Sequence, residues 1–176
     1  MNMSVIVRLG QEEDVEGIMK IVKAVVPMMQ ASGNFQWDEV YPSEAAFRKD
    51  VEIGQCYVAE KTHEDGSQEI VGVAALTEDQ SEEYADCGWD LGIPAVVPHR
   101  LAVSPTCHRQ GIAAKLYAKG DELARERGYD RVRVDTNKLN VPMNKTIQAA
   151  GYVYAGEISL NSKPKDMRFN TYEKLL

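Results

Sequence analysis

The chain has 176 residues, 44% of them hydrophobic and 27% charged, and a formal net charge of −7. Those values suit a soluble globular chain and argue against a general nucleic-acid binder, which carries a basic face. Cys56, Cys87 and Cys107 form neither a disulfide framework nor a Cys-x-x-Cys metal pattern, and no apolar run approaches a membrane span.

The expectation is therefore one domain over residues 1–176, with no metal and no membrane partner. The first residues lack the apolar stretch of a secretory signal, so the compartment expected is the reducing cytoplasm. The acidic balance favours a cationic small molecule or basic peptide as partner, or simply keeps the protein in solution.

Residues 4–8 (Ser-Val-Ile-Val-Arg) read as a first strand. From Gln11 to Met29, Val15, Ile18, Met19, Val22 and Val25 fall on one helical face, with Glu12, Glu13 and Asp14 where acids suit the helix dipole. Ser43 is a candidate N-cap for a second helix running to about Glu52. Residues 56–60 and 69–76 flank Thr-His-Glu-Asp-Gly-Ser, the pattern of a hairpin. The segment 78–90 carries six acids and no basic residue.

A strand over residues 95–103 then runs into the stretch around which the chain is organised. Ser104 precedes Pro105, which ends the strand, and Ile112, Leu116, Leu123 and Ala124 open a helical period that lasts to about Arg127-Gly128. A strand turning straight into a helix aims unpaired N–H groups at whatever lies beyond the strand's end, and such a terminus favours an anion such as a phosphate. Gly111 permits close approach, Ala113 and Ala114 keep the next positions small, and Arg109 adds a positive charge. A Walker loop is excluded because Ile112 and Ala113 follow the glycine, and the dinucleotide fingerprint because this turn has one glycine where that motif has three. An ordinary strand–helix connection remains the alternative.

Beyond it, residues 131–134 read as a strand and 140–150 as a helix with Pro142 in its first turn. Strands over 152–158 and 167–172 close the order β-α-α-β-β-β-α-β-α-β-β.

The turn resembles motif A of the GNAT superfamily of N-acetyltransferases, a strand ending in Val-x-Pro followed by Arg/Gln-x-x-Gly-x-Gly/Ala. Val103, Ser104 and Pro105 supply the first part, and Gly111, Ile112 and Ala113 the end. His108 stands where the family prefers Arg or Gln, and Arg109 where it often has glycine, a position an arginine fills poorly if φ is positive. Asp135-Thr136, Asn140, Met143 and Gly151-Tyr152 resemble motif B of the same family.

The resemblance implies an α/β fold (of the α+β kind) with a mixed, mostly antiparallel sheet splayed between strands 4 and 5 and helices on both faces. It also implies acetyl-CoA as acyl donor. On that mapping the backbone of Leu101, Ala102 and Val103 lies along the pantetheine arm. The turn His108, Arg109, Gln110, Gly111, Ile112, Ala113 and Ala114 holds the pyrophosphate. Asn140 and Met143 meet the arm, and Lys145 an outer phosphate; Asn140 read alone is equally a helix N-cap.

His99 is the candidate general base for the acceptor amine, since histidine ordinarily titrates at about 6.5 and alternation places it on one face with Leu101 and Val103. A packing role is its alternative. Many family members place a tyrosine where Ile147 stands, so the leaving thiolate departs unaided or takes its proton from Tyr117, Tyr152 or water. Acceptor pockets in this fold form from two loops, which here carry Trp37, Asp38 and Tyr41, and Trp89 and Asp90. An aromatic wall with carboxylates suits a cation, whereas a core-capping Trp37 would not serve one.

The resulting expectation is an N-acetyltransferase acting on a small-molecule or peptide amine, with a homodimer carried over from the family. The rivals are an enzyme for a longer acyl-CoA and a catalytically silent CoA-binding sensor or scaffold.

Overall fold

The computed structural model describes residues 4–176. Its regular elements are β1 (Ser4–Leu9), α1 (Val15–Ala31), α2 (Glu44–Glu52), β2 (Cys56–Thr62), β3 (Gln68–Thr77), β4 (Val97–Val103), α3 (Ile112–Glu126), β5 (Arg131–Asn137), α4 (Val141–Ala149), β6 (Val153–Ile158) and β7 (Phe169–Leu175). The expected order is thus observed. Short 3-10 turns at Glu12–Asp14, Glu82–Cys87 and Pro105–Cys107 were not expected. The second of them gives the acidic segment a shape, because Tyr84 within it is buried.

The caps explain two of the helix starts. The Ser43 hydroxyl accepts the N–H of Ala46 at 3.1 Å, and the Asn140 amide oxygen accepts that of Met143 at 3.3 Å. Each satisfies one donor that a helix start leaves without an intrahelical partner.

The strands form two antiparallel sheets, β1-β2-β3-β4 and β5-β7-β6. Among the described residues they meet at one parallel bridge between Val96 and Val132, where Val96 N–H donates to Arg131 O at 3.4 Å and Arg133 N–H to Val96 O at 3.0 Å. Past Val97 the strands part, which leaves a wedge between β4 and β5.

Helices cover both faces. On one, Ile112, Leu116 and Ala124 of α3 pack with Tyr57, Ala59, Ala74, Leu76, Val132 and Val134. On the other, Ile18, Val22 and Val25 of α1 and Phe47 of α2 pack with Val58, Val73 and Ala102. Burying each large apolar side chain contributes about 1.5–3 kcal/mol, so these two layers hold the sheet between them.

The α3 layer tolerates no extra carbon at Gly72, where an added Cβ would lie 2.7 Å from Ile112 Cγ2 and 3.3 Å from Ala59 Cβ and Leu116 Cδ1. Gly72→Ala is expected to cost about 1–3 kcal/mol by overpacking. Thermal denaturation reads this as a lowered Tm, and an unchanged Tm would mean that α3 shifts freely against β3.

One irregularity in β4 sets the phase of the strand. Ala75 pairs with His99 and Val73 with Ala102, so the single residue Ala74 faces both Arg100 and Leu101. This is a β-bulge, with Arg100 at φ +50°. It corrects the expectation that His99 shares a face with Leu101 and Val103. Leu101 and Val103 pack toward α3, while His99 opposes Ala75 on the other side. The Arg100 guanidinium holds the bulge through two bonds to Asp50 of α2, Nε to Oδ2 at 2.8 Å and Nη2 to Oδ1 at 2.7 Å.

Candidate active site

At the wide end of the wedge, β4 passes through the 3-10 turn Pro105–Cys107 into α3. Arg109 adopts φ +62° and Gly111 φ +75°, so the left-handed conformation expected to be unfavourable for Arg109 is the one it takes. A non-glycine residue there costs about 1–2 kcal/mol, which the surrounding turn must offset. The turn is closed by Gln110 N–H to Cys107 O at 3.3 Å and by Gln110 Nε2 to Thr106 O at 3.3 Å.

The N–H groups of Gly111, Ile112, Ala113 and Ala114 find no carbonyl among the described residues, as the start of a helix dictates. An added Cβ on Gly111 would meet nothing within 4 Å, so the ground before these amides is open. His108, Arg109, Gln110 and Ala114 are exposed, and Ala113 is half-buried. Ile112 is buried, so its side chain belongs to the core and only its N–H faces outward. This arrangement fits a diphosphate.

Along the wedge, Ser104 N–H donates to Val71 O at 2.8 Å. By the alternation of an antiparallel ladder, Ala102 then turns its polar groups toward β3, and Leu101 and Val103 turn theirs toward the gap. The Val103 carbonyl accepts His108 Nε2 at 3.3 Å. Across the gap, α4 presents Asn140, half-buried Met143 and exposed Lys145. The Asn140 oxygen is engaged as a cap, while its NH2 carries no bond among the described residues.

Ile147, in the family's tyrosine slot, is fully buried and places no acid there. Tyr152 donates to Asp121 at 3.1 Å within a buried group that Lys174 completes, which commits its hydroxyl elsewhere. Tyr117 points its hydroxyl at the Met143 sulfur, 3.4 Å away, and burial raises its pKa.

The opposite side of the wedge carries a cluster that sequence reasoning missed. Asp135 of β5 accepts the hydroxyl of buried Tyr84 at 2.6 Å, and His99 and Lys163 lie near enough for their charges to act on it. His99 Nε2 meets Asp79 O at 3.1 Å. Lys163 donates to Gln36 O at 3.1 Å and stands 4.3 Å over the Tyr41 ring; its burial lowers its pKa. The one signal available was an acid, Asp135, on the polar face of a strand that alternates Arg131-Val132-Arg133-Val134-Asp135.

The five residues expected as an acceptor wall are not brought together. Trp37, 5% exposed, packs into the α1–α2 core. Trp89 is taken up by the protein's own groups, with the Arg133 guanidinium 4.9 Å over its ring and the Tyr84 ring edge-on at 5.1 Å. Asp38 accepts the N–H groups of Val40 and Tyr41 at 2.8 and 2.7 Å, and these bonds hold its carboxyl below the usual range. Asp90 accepts the N–H of Gly92 at 2.8 Å. Both carboxylates shape turns, and Tyr41 alone stands at the rim beside Lys163.

Comparison with known proteins agrees with the architecture. The chain is similar over 99% of its length to a GNAT-family acetyltransferase from Streptococcus agalactiae, at 22% identity, a TM-score of 0.76 and 99% coverage of that structure. It is similar over its whole length to one from Listeria monocytogenes, at 19% identity, a TM-score of 0.72 and 99% coverage of that structure. It is also similar to the polyamine N-acetyltransferase of Drosophila melanogaster, described as forming N-acetylagmatine, at 16% identity and a TM-score of 0.69, with 98% and 100% of the two chains covered. A search of curated proteins finds no match. The model of the acetyltransferase (GNAT) family matches residues 23–152, a span that holds both the splayed strands and the helix start between them, and the chain belongs to that family.

Proposed function

We propose that this protein is an acetyl-CoA-dependent N-acetyltransferase that acts on the primary amine of a small molecule or peptide. The observation that carries the reading is the parting of β4 from β5 beyond the Val96–Val132 bridge, with the open amides of α3 at its wide end. An extended pantetheine arm matches the edge of Leu101 and Val103, which no strand covers, and a diphosphate matches the turn from His108 to Ala114.

On this reading the thioester carbonyl lies near the bulge, and the amine arrives from the face that carries His99. The amine must lose a proton before its lone pair attacks, and His99 passes that proton toward solvent. Strand amides freed by the bulge stabilise the oxyanion of the tetrahedral intermediate. With Ile147 in the tyrosine slot and Tyr152 bound to Asp121, the thiolate takes its proton from the attacking nitrogen or from water.

Ile147 also supports a second reading, a CoA-binding domain without turnover. Free-thiol release from acetyl-CoA in the presence of amino acids, agmatine, polyamines and short peptides separates the two. Turnover with at least one amine is expected, and His99→Ala is expected to lower kcat/KM by about 100-fold near neutral pH, the scale of losing a proton acceptor. Tight CoA binding with no thiol released from any amine would favour the silent domain.

A further inference from the structure

Asp135 places a carboxylate where neither a cap nor a turn requires one. It stands mid-strand in β5, opposite Thr171 of β7, and faces away from the α3 core that takes Val132 and Val134. Its Oδ2 accepts the Tyr84 hydroxyl, while Oδ1 bonds nothing among the described residues. None of the ion pairs among those residues includes Asp135, although the residue is only half-exposed.

The groups facing it come from every element around it. Tyr84 and Glu83 lie on the 3-10 turn, His99 on β4 and Lys163 on the loop between β6 and β7, while Tyr117 of α3, in the core on the strand's other face, is near enough to feel the charge of the carboxylate. Burial raises the Asp135 carboxyl above its ordinary value, against the bond from Tyr84 and the neighbouring His99 and Lys163 side chains. Tyr84 is fully buried and its pKa is raised well above normal, so it remains a donor. A carboxylate held by one neutral donor, with its other oxygen free and no bonded cation, is a seat that a docked ammonium would complete.

We propose that Asp135 receives the ammonium group of the acceptor at its free Oδ1 and takes the first proton from it, making the site selective for primary-amine cations. This rests on the acetyl-transfer reading above. The ammonium gives one proton to Asp135, which hands it to His99 and so to solvent. The freed lone pair forms the N–C bond at the thioester carbonyl, and the C–S bond breaks. The second proton on nitrogen leaves with the sulfur, so an ammonium and a thioester become an amide, a thiol and one released proton.

Two measurements test it separately from turnover. Carboxyl-carbon NMR of aspartate-labelled protein, with the signal assigned by its loss in Asp135→Asn, should show Asp135 titrating above ordinary aspartates. Ethylammonium chloride, compared with sodium chloride at equal ionic strength, should shift that titration to lower pH, because a bound cation favours the charged form. Tyr84→Phe removes a donor to the charged form and should move the titration to higher pH. An ordinary titration that ignores both ethylammonium and Tyr84→Phe would overturn the assignment.

With an amine that the wild type acetylates, Asp135→Asn should lower kcat/KM by about 100-fold or more while calorimetry finds acetyl-CoA affinity unchanged. The rate rises with pH as the carboxyl ionises, so Tyr84→Phe should move the rising limb to higher pH, which a merely structural tyrosine would not do. Unchanged amine kinetics in Asp135→Asn would refute the role. Absence of any turnover in the wild type would instead count against the acetyl-transfer reading, and the NMR titration would still decide whether Asp135 binds an ammonium.

Discussion

Replacing Gly111 with valine is expected to weaken acetyl-CoA binding by about 30-fold or more, measured by calorimetry, since roughly 2 kcal/mol corresponds to that factor. The reason lies in two properties of the residue. Its φ of +75° falls where a β-branched side chain is strained, at a cost of about 1–2 kcal/mol. A Cβ there meets no protein atom within 4 Å, so the added methyl groups project into the space before the α3 amides. The strain lowers folding stability and the methyl groups lower ligand affinity, and calorimetry on the folded variant reads the second. Gly111→Ala should show the same effect in smaller measure. Undiminished affinity in Gly111→Val would show that the diphosphate does not sit against this turn, and the proposed site would fail with it.

Asp50→Ala is expected to destabilise the fold by about 3 kcal/mol, the lower end of the cost of stranding a buried charge, because the Arg100 left alone is half-buried. Asp50 is 4% exposed and makes both bonds to the Arg100 guanidinium. Arg100 holds φ +50°, so the pair also fixes the backbone of the bulge and hence the face on which His99 emerges. Urea denaturation should show a lower midpoint, and activity should fall further than stability alone explains. The double variant Asp50→Ala/Arg100→Ala should recover part of the lost stability, because no uncompensated charge then remains. A double variant no better than the single one would indicate that Arg100 contributes through packing.

Much of this architecture is legible in the residues because local chemistry writes it. The apolar period of α3, the break at Ser104-Pro105 and the caps at Ser43 and Asn140 depend on near neighbours in the chain, and each lies where it was expected. What escaped depends on distant contacts. Nothing in Pro98-His99-Arg100-Leu101 announces a bulge; it is held by Asp50, 50 residues away. Asp135 looks like a polar member of a motif until β5 parts from β4 and Tyr84, 51 residues earlier, comes to meet it. Trp37 stands in the sequence among polar neighbours that suggest a wall, yet its ring takes the core while Asp38 turns the loop. Exposure within such a loop follows from which helix reaches it first, and composition does not carry that information.

The separation of β4 and β5 has a consequence for how this protein keeps company. A sheet torn along its middle has two raw borders of amides and carbonyls, and on an outer surface such borders invite another chain to zip onto them. Here both borders look inward, with α3 spanning one side of the tear. The same hunger for a partner strand is turned toward the wedge between them, where the guest it suits is an extended molecule that imitates a peptide.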